Sequence, residues 1–297
     1  MLKIAIIGGT GLLGSNLVKL YGNYDVKAFS RKQSSNIENR LNCVIDPNNL
    51  VKDLDAKFTK WQPDIIINTV ALVNLQVCEN DYTLAYDCNV RIAKEIAELS
   101  NKWNSYFIHI STDHYYTDQQ KFHSELSKID IVNNYAKTKY IAEKEVYAIN
   151  QDALIVRTNI IGFRNNEKDS FFEWLLNSLE KNIQINMYTN FFTSPISAKQ
   201  LGEILIKCYH HKLEGIYNIC SSEVIDKFSF GVKTAHIFDF KPDISHSELT
   251  NSKSTVDRAL NLGLDTTKIT NELNIQLPTI DETLMCLYQE YNLNKDE

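Results

Sequence analysis

The amino-acid sequence predicts an α/β fold, a doubly wound parallel sheet of the Rossmann type with a smaller C-terminal lobe. Three observations carry that prediction. The first is a β-branched run, Lys3 to Ile7, that breaks into the glycine turn Gly8-Gly9-Thr10-Gly11-Leu12-Leu13-Gly14. The second is Asp64 to Asn68 (DIIIN), apolar on both faces as a central parallel strand requires. The third is the alternation of such short runs with helix-periodic stretches through the first half of the chain.

Each element follows from its own residues. The first strand, its turn and the apolar-periodic helix after it (Leu12, Leu13, Leu17, Leu20) stand in the order of a dinucleotide-binding βαβ unit. Gly8 permits the turn off the strand, Gly11 lets backbone N–H groups approach a pyrophosphate, and Gly14 lets the helix pack on the strand. Thr10, Leu12 and Leu13 complete this phosphate loop. Asp25 to Phe29 reads as the second strand, with Ser30-Arg31-Lys32 at its end, where the adenosine ribose of a dinucleotide lies. An acidic residue there would bond the 2′-OH of NAD. Arg31 pairs instead with the 2′-phosphate of NADP, so NADP(H) is favoured over NAD(H). Cys43 to Ile45 is a third strand ending at Asp46, beside the adenine, and Asn48 to Trp61 is helical. After the fourth strand, Thr69-Val70-Ala71 supplies small residues where a cofactor passes close to the backbone.

Asp81 to Lys102 reads as one continuous amphipathic helix, apolar at Leu84, Cys88, Ile92, Ile96 and Leu99. Tyr106 to Ile110 is the fifth strand, with His109 packed inside it. Chemistry in such sheets sits at the carboxyl ends of strands, which here carry Ser111-Thr112-Asp113-His114. Ser111 and Thr112 are where a substrate hydroxyl or carbonyl would be held. After a loop, a helix begins near Asn134 with Tyr135 and Lys139, four residues apart on one face. A cation beside a phenol stabilises the phenolate and makes the tyrosine a usable proton donor. Ala153 to Arg157 is the sixth strand, and Asn159-Ile160-Ile161-Gly162 leads to the smaller lobe. There, 170–181, 197–211, 228–240 and 281–291 read as helices and Gly215 to Ile219 as a strand. The expected division is 1–158 for cofactor and 159–297 for substrate, interleaved at the boundary.

Bulk composition sets limits. The 297 residues, 43% hydrophobic and 23% charged, suit a globular chain with a sizeable core. Thirty-seven acidic against 31 basic residues leave a net charge of -6, which argues against a nucleic-acid backbone as partner. No run reaches the length of a membrane span. The six cysteines are scattered without metal-like spacing, so a reduced, cytoplasmic protein without a metal is expected.

Taken together these residues resemble the extended short-chain dehydrogenase/reductase superfamily, and within it the dTDP-4-dehydrorhamnose reductase branch. Gly8, Gly11 and Gly14 match its glycine motif, and Gln62 to Asn68 looks like its NPDVVIN segment. Ser111-Thr112-Asp113 matches the start of its STDYVF motif. Asn133, Tyr135, Thr138, Lys139 and Glu143 match its N-x-Y-G-x-T-K-x-x-G-E segment, and Arg157-Thr158 its RTSW stretch. Arg258, Asn261, Leu264, Asp265, Thr267 and Lys268 look like the branch-specific RPxNSxLDxSK stretch. The resemblance implies NAD(P)H-dependent reduction of a keto group on a nucleotide-activated deoxysugar. Tyr135 would donate the proton, Lys139 would tune it and hold the nicotinamide ribose, and Thr112 would orient the carbonyl. Ser111, Asp113, His114, Asn159, Ile160 and Arg258 would line the substrate, Arg258 at its phosphates. A homodimer is expected by the same analogy.

The departures bear on the sugar. His114 replaces a substrate-lining tyrosine, Ile160 stands where the family stacks a tryptophan, and Ala136 and Ala142 replace glycines. Related 4,6-dehydratases carry Thr-Asp-Glu where this chain has Thr112-Asp113-His114, which weighs against dehydration. Two alternatives stand beside the reductase. One is a non-catalytic NADP-binding subunit, like the branch member that accompanies a methionine adenosyltransferase. The other is an epimerase with tightly held NAD.

Overall fold

The computed structural model describes residues 1–33, 37, 38, 41–164, 169–250 and 256–296. The chain divides into two compact units, each assembled from separate chain segments. The first contains Met1–Thr112, Asn133–Val156 and Leu205–Ile216, and the second Asp113–Val132, Arg157–Ile204 and Tyr217–Glu297.

The first unit is built on a parallel sheet. Its strands are β1 (Lys3–Ile7), β2 (Asp25–Ser30), β3 (Asn42–Val44), β4 (Ile65–Asn68), β5 (Tyr106–Ile110) and β6 (Leu154–Arg157). A seventh strand, Gly215–Asn218, lies against β6, so the spatial order from that edge is seventh, β6, β5, β4, β1, β2, β3. The order reverses direction at β1, which is the switch point of a doubly wound sheet. Register aligns the carboxyl ends: Ile7 pairs with Asn68 and Asn68 with His109. The glycine turn, Thr69 and Ser111 therefore leave the sheet along one edge.

Helices α1 (Leu12–Leu20), α2 (Leu50–Trp61), α3 (Leu75–Asn80), α4 (Tyr82–Tyr86), α5 (Ile92–Trp103) and α6 (Asn134–Ile149) flank these strands in the chain. They form because their apolar residues recur at helical spacing. In α2 the buried residues are Leu50, Leu54, Phe58 and Trp61. They join Phe29, Ile66, Ile96 and Val146 in one core, where each fully buried aliphatic or aromatic side chain contributes roughly 1.5–3 kcal/mol. The expected helix over 81–102 is interrupted: between α4 and α5, Asp87–Arg91 forms a π-turn. The helix expected from Asn48 starts as a 3-10 turn, Pro47–Asn49, capped by Asp46.

The second unit gathers Phe163, Phe172, Leu175, Phe230, Phe238 and Leu284 into its own core. Short strands serve it, among them Asn159–Ile161 beside Pro195–Ser197 and Phe192–Thr193 between Ile225–Asp226 and Asn261–Leu262. The stretch 113–132 is pinned by His123. Its Nδ1 lies 3.0 Å from the Gly263 carbonyl and its Nε2 2.9 Å from Asp118, and its ring stacks on Tyr116 at 4.1 Å. Among the described residues no helix is long and apolar enough to cross a membrane.

Candidate active site

The glycine turn is tight for steric reasons that the coordinates make explicit. Gly8 has φ +91°, a region L side chains avoid, and a Cβ on it would stand 2.7 Å from Thr69 Oγ1. A Cβ on Gly14 would come within 2.3 Å of the Gly8 carbonyl oxygen. Gly9 also matters: its Cβ would fall 2.5 Å from that of Ala28, so β2 closes against the loop only over glycine. Gly11 stands at the N-cap of α1 with no side chain to cap it, between Thr10 and the helical Leu12 and Leu13. The first-turn N–H groups of α1 thus keep their hydrogen-bonding capacity, at the positive end of the helix dipole. These residues fit a dinucleotide pyrophosphate, since the cradle is one that any Cβ would fill.

The flanking positions have distinct fates. Arg31 is exposed at the end of β2, while Ser30 is buried and its hydroxyl donates to the Lys32 carbonyl at 2.6 Å. Asp46 accepts from Asn48 N–H and Asn49 Nδ2, bonds that hold its carboxyl below the usual range. Its carboxylate is therefore occupied in capping the turn. The Val70 N–H donates to Asn68 Oδ1 at 3.0 Å, and Ala71 follows it half-buried.

The residues expected to handle the proton lie on and under α6. Asn133 opens this helix, its Oδ1 accepting from Ala136 N–H at 2.9 Å. Tyr135, 8% exposed, packs against Cys78 and Ala85. Four residues on, Lys139 is buried and its Nζ donates to the Ile110 carbonyl at 2.7 Å, tying α6 to the end of β5. Burial brings the Lys139 ammonium down to about 8, with Glu143 pulling the other way. Glu143 is itself buried and accepts a 2.6 Å hydrogen bond from Ser111 Oγ. Ser111 thus spends its hydroxyl on Glu143, and Thr112, 3% exposed, follows it at the strand end. His109 is fully buried beside Asn68, and burial and the Lys139 charge push it well below the usual histidine range.

Asn89 belongs to this group and sequence reasoning passed over it. It sits in the π-turn, donates to Thr138 Oγ1 at 3.0 Å and accepts from Leu72 N–H at 2.7 Å. It thereby clamps the segment after β4 to α6, one residue before Lys139. Its only sequence signal was a polar residue between apolar helix positions. π-turns are enriched at functional sites.

In the second unit, Asp113 is buried and accepts from Asn159 Nδ2 at 2.7 Å. Burial raises its pKa. His114 Nε2 lies 3.8 Å from Asp113 Oδ1. Burial lowers the pKa of His114, Asp113 opposes this, and the charges of Arg258 and Lys227 add to it. Ile160 is half-buried in the strand after Arg157, and Arg258 is exposed. Arg157 has a structural place, its Nη1 donating to Tyr116 Oη at 3.1 Å. Among the described residues no cluster of three or more His, Cys, Asp or Glu is placed to hold a metal ion.

Comparisons with known proteins bear on the family and the fold. The sequence model of the RmlD substrate binding domain matches residues 2–293. The spore coat polysaccharide biosynthesis protein SpsK of Bacillus subtilis is 25% identical over 77% of each chain. The probable low-salt glycan biosynthesis reductase Agl14 of Haloferax volcanii is 22% identical over 95% of this chain and 96% of the relative. Among solved structures, dTDP-4-dehydrorhamnose reductase from Bacillus anthracis in complex with NADP superposes with a TM-score of 0.85. It is 21% identical and covers 98% of this chain and 99% of its own.

Proposed function

The chain belongs to the RmlD substrate binding domain family, and from that premise we propose that it is an NAD(P)H-dependent reductase of a nucleotide-activated deoxysugar. The group reduced is a keto group at C4, and the product serves surface polysaccharide or glycan synthesis. Relatives named as a glycan biosynthesis reductase and a spore coat polysaccharide protein support the pathway class. The observation that carries the chemistry is Lys139, buried and bonded to Ile110 at the strand end, on the helix that presents Tyr135.

Reduction of a ketone needs a hydride at carbon and a proton at oxygen. The nicotinamide, when bound, supplies the hydride. The Tyr135 hydroxyl delivers the proton to the carbonyl oxygen, and the Thr112 hydroxyl donates a hydrogen bond to the same oxygen as charge builds there. Lys139 stabilises the phenolate left on Tyr135. Glu143 keeps Lys139 charged, and Ser111 holds Glu143 in place. Gly8, Gly11, Gly14 and the N-terminus of α1 take the pyrophosphate. Arg31 takes the 2′-phosphate, which favours NADP(H), with NAD(H) accepted more weakly. Ser30, Asp46, Val70 and Ala71 border the same cofactor. Asp113, His114, Asn159, Ile160 and Arg258 border the substrate, and the protein acts in the cytoplasm as a homodimer.

The test is NADPH oxidation by purified protein against dTDP-, GDP- and UDP-linked 4-keto-6-deoxysugars, with NADH in parallel. Turnover with one of them, faster with NADPH, is the expected result. Tight NADPH binding without turnover on any of them would replace the reductase with a regulatory subunit. NAD that survives purification, with no net consumption of cofactor, would replace it with an epimerase.

A further inference from the structure

Tyr135 stands in the first turn of α6, the least secure place in a helix, because the N–H groups there have no partners within the helix. A proton donor tolerates little movement: a misplacement of about 1 Å can cost on the order of 100-fold in rate. Two consecutive residues of α3 meet this turn. Cys78, fully buried, packs against the Tyr135 ring together with Ala85 of α4. Glu79, next in the chain, takes the backbone beside that ring, its Oε2 accepting from Asn134 N–H at 3.0 Å. The Asn133 side chain takes Ala136 N–H, so one first-turn donor is held by the cap of α6 itself and another by a different helix. The Glu79 carboxylate also lies at the positive end of the α6 dipole, where a negative charge is favoured. The α3 helix is itself anchored. Asn74 caps it through Val77 N–H at 3.0 Å, and Cys78 Sγ donates to the Leu72 carbonyl at 3.2 Å. Asp81, two residues after Glu79, caps α4 through Leu84 N–H at 2.9 Å. The ring of Tyr135 and the backbone beside it are therefore both fixed to one bracket of two short helices.

We propose that Glu79 is a positioning residue for the reduction: its carboxylate fixes the first turn of α6 and so sets where the Tyr135 hydroxyl delivers its proton. The assignment deepens the reductase reading and rests on it. Glu79 neither gives nor takes a proton in the reaction. It acts through Asn134 N–H, in a charge-assisted hydrogen bond. That bond joins residues 55 apart in the chain, so no local spacing announces it. A glutamate exposed on a helix reads in the sequence as ordinary solvated surface.

The experiment is steady-state kinetics of the full-length protein with NADPH and the nucleotide-linked 4-keto-6-deoxysugar that the wild type turns over. It compares Glu79→Ala, Glu79→Gln, Asn134→Pro and the double variant Glu79→Ala/Asn134→Pro with the wild type. Glu79→Ala should lower kcat about tenfold and leave KM for both substrates within about twofold. Glu79→Gln, which keeps an accepting oxygen, should stay within about threefold of the wild type. Asn134→Pro removes the N–H instead of the carboxylate. Proline suits the first helical position, and Asn133 before it is already extended, at φ -150° and ψ 166°. This variant should lower kcat by about the same factor as Glu79→Ala, and the double variant should be no worse than either alone, since both break one bond. Should Glu79→Ala fold poorly by circular dichroism, Asn134→Pro tests the same bond with the carboxylate in place. Unchanged kcat in Glu79→Ala, a loss expressed in KM alone, or additive losses in the double variant would each overturn the assignment and leave the reductase reading intact. Absence of wild-type turnover with every such sugar removes that reading and the assignment with it.

Discussion

At the scale of single residues, the reductase reading turns on Tyr135 and Lys139. Tyr135→Phe keeps the ring that packs on Cys78 and Ala85 but removes the proton. It should retain NADPH binding, read by fluorescence titration, and lose turnover about 10²–10⁴-fold, the usual worth of a positioned acid. Lys139 predicts a pH dependence. Its ammonium is charged below about 8 and loses its proton above, so kcat/KM should fall as pH rises through that value. Lys139→Met should abolish that limb and leave a low, flat profile. Glu143 is the charge that holds Lys139 up, so Glu143→Gln should shift the limb to lower pH. A purely structural role for Glu143 would lower activity and leave the profile unmoved. The sign for stability is the reverse. An unfolded lysine holds its proton to ~10.5, so between about 8 and ~10.5 the unfolded chain binds more protons, and the Lys139 contribution to stability rises with pH.

At the scale of elements, what was legible in the sequence was local. The strand, glycine turn and helix of residues 3–20 can be read directly because their signals are consecutive in the chain and the clash at Gly14 is with Gly8 and Gly9 in the same loop, although the one at Gly8 is with Thr69 and Val70 after β4. Gly9 was less legible, since its constraint comes from Ala28 on another strand. The break at Asp87–Arg91 left no periodic trace, because apolar residues four apart at Leu84, Cys88 and Ile92 suit either a continuous helix or one with an inserted residue. The short strands of the second unit, two to four residues each, pair over long sequence distances and have no pattern of their own. The Tyr135–Lys139 pair on α6 is legible from spacing, whereas Asn89 acts through packing that spacing does not encode. Two outcomes belong to this scale. Gly14→Ala, forced against the Gly8 carbonyl, should cost about 1–3 kcal/mol in urea unfolding and weaken NADPH binding. Asn89→Ala strands the Leu72 N–H and frees Thr138. It should cost about 1–3 kcal/mol and lower kcat more than it raises KM for NADPH.

At the scale of the whole molecule, the two units are interleaved along the chain, which passes from the first to the second after Thr112, returns at Asn133 and passes again to the second after Val156. The first unit takes back Leu205–Ile216 after the chain has entered the second. Tyr106 depends on that return, donating its hydroxyl to the Leu213 carbonyl and meeting Tyr209 ring to ring at 5.5 Å. A fragment ending at residue 158 would leave β6 as an open edge, a template for pairing with other chains. It should be aggregated by size-exclusion chromatography, whereas the complete chain should run as a discrete species. The late seventh strand also sets a timetable for biosynthesis. A nascent chain that has emitted β1 to β6 must wait until Gly215–Asn218 clears the ribosome before that edge is covered. At the usual ~5–20 residues per second the wait lasts several seconds, long compared with the collapse of a helix or hairpin. During it the nascent protein carries an uncovered β edge, and its yield in the cell should depend on a holding chaperone at the tunnel exit.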